Sequence, residues 1–471
     1  MTNSEEGRNA EMDEPAPVDK EEAGTEPNGL SQAQEKKKVA IRVYKKRWIM
    51  LFLFVATSTF NAIHWLQYSI IANIAMKYYE VSALAVNWSS MIYMVIYVPL
   101  VFPATFVLEK KGLRFSLILG LTIMCCGAWL KLVTLNRNMF VVAFVAQGIV
   151  GGAQIFILSV PARLASIWFD AKEVSTACAL GVFGNQLGVA LGFVIPPEVV
   201  HDSNDMDAIR EGFKWLYIGF AVPPTVLLFL VILFFEAAPK FPPSLAQVNI
   251  RENIAARTNS DVNGNSYIQL VKNKDFILLL FSYGVNVGVF YAYSTLLNQL
   301  YLSHYPKGEV TAGYIGLVMI IGGMIGSVVW GIFLDRTHKF KLTTIVVYCF
   351  AYLGMMAFTF SLFYEQNIAI FVSSGILGFF MNGYLTVAYE FTSELTYPVP
   401  ESTSTGVLNA VGELLGLSMV LVYGMILDYY DDLITNLSMS SILLVGLVVS
   451  LFISGKSLKR HGINKEQSQS M

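Results

Sequence analysis

From Trp48 onward the chain alternates long apolar runs with short polar breaks, and that rhythm leaves it very few possible folds. Twelve runs are read, over 48–76, 84–108, 115–134, 139–165, 174–197, 213–235, 275–302, 311–334, 343–364, 367–390, 402–427 and 434–455. A helix needs about 20 apolar residues to cross a ~30 Å hydrocarbon core, and the runs fit tilted helices of that kind. Their breaks hold Gly, Pro, Asn or charge, and the absence of period-two alternation excludes a β-barrel. Composition agrees: of 471 residues 55% are hydrophobic and 14% charged, with mean hydropathy +0.54. Such a chain is no soluble enzyme, disordered scaffold or nucleic-acid binder. The expected fold class is an all-α membrane protein whose constant partner is the lipid bilayer. The four cysteines lie inside apolar stretches and read as small buried thiols rather than a disulfide or metal framework.

Charge sets the expected orientation. Residues 1–35 carry ten acids and two bases, whereas 36–47 carry seven bases and no acid. Lys110, Lys111, Arg114, Arg336, Lys339, Lys341, Lys456, Lys459 and Arg460 join that basic set at alternate breaks. The opposite breaks hold His201–Glu211 and Asp428–Asp432. Bases gather on the cytoplasmic side, so both termini are expected there. The division expected is a disordered N-tail with a basic juxtamembrane stretch (1–47), six helices (48–235), a cytoplasmic linker (236–274), six more helices (275–455) and a C-tail (456–471).

The halves repeat. Leu108-Glu109-Lys110-Lys111-Gly112-Leu113-Arg114 follows the second run, and Leu334-Asp335-Arg336-Thr337-His338-Lys339 follows the eighth, an offset of 226. Gly148 and Gly151 answer to Gly375 and Gly378 at 227, and Gly184-Asn185-Gln186-Leu187-Gly188 answers to Gly412-Glu413-Leu414-Leu415-Gly416 at 228. Three registers agreeing within two residues mark a duplicated unit. A six-plus-six parallel repeat with a basic loop after the second helix of each half resembles the major facilitator superfamily. That resemblance implies a twelve-helix fold whose two bundles rock around a midplane site. It also implies an inner gate in which Glu109 and Asp335 face helix N-termini. Lys110, Arg114, Arg336 and Lys339 then meet acids such as Glu173, Glu390 or Glu394. Positive-inside topology alone also explains these charges.

Polar groups inside the runs are the best pointer to a substrate. The first run holds Asn61, His64, Trp65, Gln67 and Tyr68; the seventh holds Tyr283, Asn286, Tyr291 and Asn298. Trp65 and Tyr291 are repeat equivalents, and the first helix of each half lines the cavity in this fold, so the two rings are expected to face each other. Opposed aromatic faces suit a quaternary ammonium, which donates no hydrogen bond and is held at ~2 kcal/mol or more when desolvated. Packing between helices is the plainer explanation of such rings. Gln154, Asn185 and Gln186 could orient a substrate hydroxyl or amine, or bond a neighbouring helix. Glu413 is the one acid well inside a run, where a carboxylate is protonated, paired, or wet and used. It would complement a cation or carry a proton. His64 reads as a packed neutral side chain, and no mid-membrane Arg or Lys is read. No nucleotide loop, catalytic constellation, cofactor or metal site is read.

Seven stretches then become specific: Asn61–Tyr68, Glu109–Arg114, Gly127–Lys131, Glu173–Cys178, Phe183–Gly188, Phe290–Asn298 and Glu394–Pro398. They resemble the FLVCR family, solute carrier family 49, the feline leukemia virus subgroup C receptor-related choline transporters. The likeness runs from about Arg47 to Lys456. It implies a monomeric facilitative uniporter of choline and ethanolamine at the plasma membrane, with heme export as the rival activity and proton-coupled symport through Glu413 as another. The family's aromatic cage falls on Trp65 and Tyr291, and its hydroxyl-binding glutamine on Gln154. Its second glutamine is Glu413 here. Where the family pattern carries an acid and an arginine at an outer gate, this chain has Asn87 and Gln299, next to Asn298. Loss of both charges together is what contact between the two positions predicts.

Overall fold

The computed structural model describes residues 43–158, 160–170, 173–243, 269–396, 399 and 401–454. Most of the tails and most of the 236–274 linker, with the expectations made for them, lie outside the described residues. Among the described residues every regular element is helical: α1 (Arg47–Ile63), a 3₁₀ turn (Ser69–Ile71), α2 (Ala72–Tyr79), α3 (Ala83–Leu130), α4 (Phe140–Leu158), α5 (Val160–Trp168), α6 (Val174–Val199) and α7 (Met206–Phe234) form the first half. The second half holds α8 (Lys274–Leu302), α9 (Glu309–Thr337), α10 (Phe340–Phe363), α11 (Asn367–Thr396), α12 (Glu401–Tyr429) and α13 (Asp432–Leu451). Helix α3 holds two spans, separated at Gly112, whose φ of +82° is a conformation that suits glycine.

Eleven described segments are long and apolar enough to cross a membrane. The twelfth, the first run, departs from the continuous span expected over 48–76. Its helix stops at Ile63, and the chain resumes regular structure only at Ser69. Bare backbone inside a membrane is tolerated where protein groups satisfy it, and such broken helices mark transporter sites.

The repeat is visible in the packing. Gly148 sits on Ile92 and Gly151 on Tyr93; Gly375 sits on Val318 and Gly378 on Met319, each partner 226 residues later. Small residues at these crossings let the backbones approach, which is how helices associate without a hydrophobic drive between them. The halves meet on the face away from the linker. Phe193 of α6 packs onto Gly313 and Gly316 of α9. Asn73 donates to Glu309 at 2.6 Å, Ser90 and Thr295 hydrogen-bond at 3.2 Å, and Tyr314 donates to Glu198 at 2.8 Å. Toward the linker face, where Lys46 meets Glu236 at 3.2 Å, a cavity runs between the halves. Of the cysteines, Cys125 is buried, Cys178 and Cys349 are half-buried, and Cys126 is exposed, so the reading of four buried thiols holds only in part.

Candidate substrate site

The break in α1 builds the site. Gln147 of α4 donates to the His64 carbonyl at 2.7 Å, taking an acceptor that the ended helix leaves open. Lys131, at the end of α3, places its Nζ 3.0 Å from Gln67 Oε1 and 3.1 Å from His64 Nδ1. Tyr68 hydrogen-bonds Tyr217 at 2.9 Å, and Tyr217 bonds Tyr79 at 2.8 Å. Residues 64–68 are thereby tied to α2, α3, α4 and α7, and Trp65 is left facing the cavity.

Tyr291 comes from the middle of the unbroken α8. Its ring lies on Gly416 of α12, where a Cβ would sit 2.4 Å from Cδ2, and its hydroxyl donates to Glu413 Oε1 at 3.0 Å. The Trp65 and Tyr291 ring centroids are 5.2 Å apart at 71°, edge to face. The two rings therefore make a corner beside Glu413 rather than two parallel faces. Gln154, Asn185 and Gln186 line the same cavity of about 270 Å³. Toward the linker, Tyr283 at 3.0 Å and Tyr389 at 2.5 Å both donate to Asn409 Oδ1.

The other residues singled out from the sequence lie elsewhere. Asn61 is buried within the first half, its Nδ2 3.4 Å from the Val150 carbonyl, and Tyr68 is held in its tyrosine chain. In a continuous helix residues 61, 65 and 68 share one face. Ending α1 at Ile63 separates Trp65 from that face, which is why neither neighbour lines the cavity. His64 is packed, edge-on to Phe220 at 5.2 Å. Lys131, at the end of its run, is 1% exposed and so is a buried base that the reading of no mid-membrane Arg or Lys did not single out.

On the linker face, Lys110 lies over Phe106 at 4.3 Å and Arg114 donates to the Ile232 carbonyl at 2.8 Å. Arg336, Lys339 and Glu390 are exposed and Glu394 is buried. Glu173 pairs with Arg47 at 2.8 Å. The Glu109 and Asp335 side chains lie outside the described residues. On the opposite face Gln299 donates to Asn87 at 2.8 Å and Asn298 to the Ile70 carbonyl at 2.7 Å. The two positions that lack the family's charges are in contact. Sequence reasoning missed Tyr389 and Asn409; Asn409 was findable, since it stands one turn before Glu413 on α12.

The family model of the Major Facilitator Superfamily matches residues 48–418. The zebrafish (Danio rerio) choline/ethanolamine transporter flvcr2a is 44% identical over 429 residues, 90% of each chain. The chain belongs to the FLVCR family of the major facilitator superfamily. The human (Homo sapiens) choline/ethanolamine transporter FLVCR2 is 43% identical, covering 90% of this chain and 80% of the relative. Among solved structures, the D-xylose–proton symporter overlays with TM-score 0.65 at 12% identity, over 87% of this chain and 98% of that one, which bears on the fold alone. This member of the FLVCR family is a multi-pass membrane transporter and not an enzyme.

Proposed function

We propose that the chain is a facilitative transporter of choline, with ethanolamine as a second substrate, working by alternating access at the plasma membrane. The linker face and both termini are cytoplasmic in this reading, because the bases gather there. In the family pattern the movement is a uniport, down the substrate's own gradient, and the working unit in this reading is a monomer.

One observation carries the reading: Trp65 from one half and Tyr291 from the other meet at 5.2 Å with Glu413 beside them. Each ring face attracts a cation, at ~2 kcal/mol or more once water is excluded, and the acid supplies the opposite charge. Gln154 bonds the substrate's hydroxyl. A cavity of about 270 Å³ lies just under the ~300–1000 Å³ of drug-sized sites, which suits a small amine and is too small for a tetrapyrrole. The relatives' names point the same way. Asn87 with Gln299 closes the outer gate, and the bases from Lys110 to Lys339 close the inner one when the halves rock.

The test is labelled choline uptake in cells displaying the Trp65→Ala variant. Uptake is expected to fall to the untransfected background and, in the unaltered protein, to be blocked by excess choline but not by heme. Full uptake in the variant would remove the cage.

A further inference from the structure

Among the described lining residues of the cavity, Glu413 is the one carboxylic acid. Glu413 is 7% exposed, and its carboxylate takes a hydrogen bond from Tyr291. The titratable groups that interact with it electrostatically are Tyr291, its hydrogen-bond partner, and Tyr283 of α8, Tyr389 of α11 and Tyr97 of α3. From the first half, Trp65, Gln154 and Gln186 line the same space. Among the described lining residues there is no Lys, Arg or His. The nearest buried base named above, Lys131, is turned to His64 and Gln67 behind the α1 break.

A lone carboxylate enclosed by rings and amides does not stay charged without a partner, because the cost of desolvating it exceeds what a single phenol hydrogen bond returns. Two occupants neutralise it: a proton on the carboxylate, or an organic ammonium in the corner beside it. They exclude each other, since a protonated Glu413 has no charge to offer and a paired one has no need of a proton.

We propose that Glu413 exchanges one proton for each substrate cation, which makes this transporter a proton/organic-cation exchanger. The inference rests on the choline-site reading above and couples that transport to a returning proton, in place of the family's uniport cycle. On the entry side the O–H bond of the Glu413 carboxylic acid breaks, the proton passes to water on that side, and the carboxylate pairs with the incoming ammonium. On the opposite side the ammonium leaves and the carboxylate takes a proton from water there. The halves change over only when the acid is neutralised, so one positive charge crosses in each direction and the cycle is electroneutral. Glutamine at this position, as the family pattern has it, carries no proton and leaves the cation's charge uncompensated.

Calorimetry with choline on the purified full chain, in buffers of different ionisation enthalpy, reads the exchange directly. About one proton is expected to leave per choline bound, with affinity falling about tenfold per pH unit on the acid side of the carboxyl's titration. Binding without proton release, and with affinity changing less than about twofold between roughly pH 5.5 and 8.5, overturns the exchange while leaving the choline site intact. Absence of choline binding at every pH overturns the site reading itself. In proteoliposomes, uptake by the unaltered chain is expected to ignore membrane potential and to rise when the interior is acidified. Accumulation of choline by the unaltered chain of about 50-fold under 100 mV, inside negative, as an uncoupled cation would show, refutes the proposal.

Discussion

Tyr291 has its position because residue 416 has no side chain, and Gly416→Ala tests how much the site depends on it. The added Cβ would stand 2.4 Å from Tyr291 Cδ2, 3.2 Å from Cε2 and 3.5 Å from the Met94 sulfur. Ordinary carbon contacts are ~3.5–4.0 Å, so the ring must yield by about 1 Å or more. Its hydroxyl cannot then keep its 3.0 Å bond to Glu413, and the corner with Trp65 opens. Loss of one desolvated ring face removes about 2 kcal/mol of cation binding, a rise in Kd of about 30-fold. The fold should survive, because alanine is the better helix former by ~1 kcal/mol and the neighbour is a side chain that can tilt. Choline titration together with a thermal melt separates the two effects. Gly188, the repeat mate, behaves differently: a Cβ there meets the Thr59 carbonyl at 2.3 Å, and backbone cannot tilt away. Gly188→Ala should therefore lower stability by ~1–3 kcal/mol. Gly152→Ala, with open space around its would-be Cβ, should change neither quantity. Wild-type choline affinity in Gly416→Ala would refute the claim that Tyr291 holds the ligand.

Two further outcomes follow from contacts on the face away from the linker. Restoring a charge singly at the buried Asn87–Gln299 contact, as Asn87→Asp, should lower the melting temperature and slow uptake; adding Gln299→Arg should recover both, with a coupling of about 0.5–3 kcal/mol in a double-mutant cycle, and additive effects would show that the pair does not act as a unit. His304 lies 2.8 Å from Asp432 and 3.4 Å from Glu365, tying its loop to the start of α13 and to the turn after α10. Partial burial pulls the imidazole down, but the two carboxylates outweigh it and hold the group above its ordinary value of 6.5. The protonated form is thus favoured in the folded state, so its stabilisation is full below about pH 6.5 and is lost as pH rises through the raised folded value. The melting temperature should fall by roughly 1–3 °C across that window, and His304→Gln should remove the fall.

The bundle architecture was legible because the signals behind it are long and redundant. Apolar runs report the membrane, and glycine pairs displaced by 226–228 residues report the duplication, since each helix crossing needs a small residue at the same place in both halves. The Trp65–Tyr291 pair came from that arithmetic, and the contact between positions 87 and 299 from a paired loss of charge. What the sequence hid was the end of α1. Nothing in Asn61-Ala62-Ile63-His64-Trp65 breaks a helix by propensity; the break is stabilised from outside, by Gln147, Lys131 and Tyr217, each at least 64 residues away in sequence from its partner. Tertiary contacts overrode the local pattern, and with it went the periodic argument that placed Asn61 and Tyr68 beside Trp65.

That break gives the two ring carriers different character although the sequence duplicates them. Tyr291 sits on a continuous and largely buried helix, with Gly416 beneath the ring and Glu413 at its hydroxyl. Trp65 sits on five residues without regular structure, bound on every side by groups of its own half: Lys131 on Gln67 and His64, Gln147 on the His64 carbonyl, Tyr217 on Tyr68. Neither ring takes its position from the opposite half, so each travels with its own bundle. In the proposed cycle, relative movement of the halves changes the 5.2 Å between the rings, and with it the depth of the corner proposed for the cation. The acid travels with Tyr291, which keeps ring and charge together while the tryptophan closes on them or withdraws. Binding strength and bundle position are then two readings of one coordinate, which is what alternating access requires of a site built from both halves.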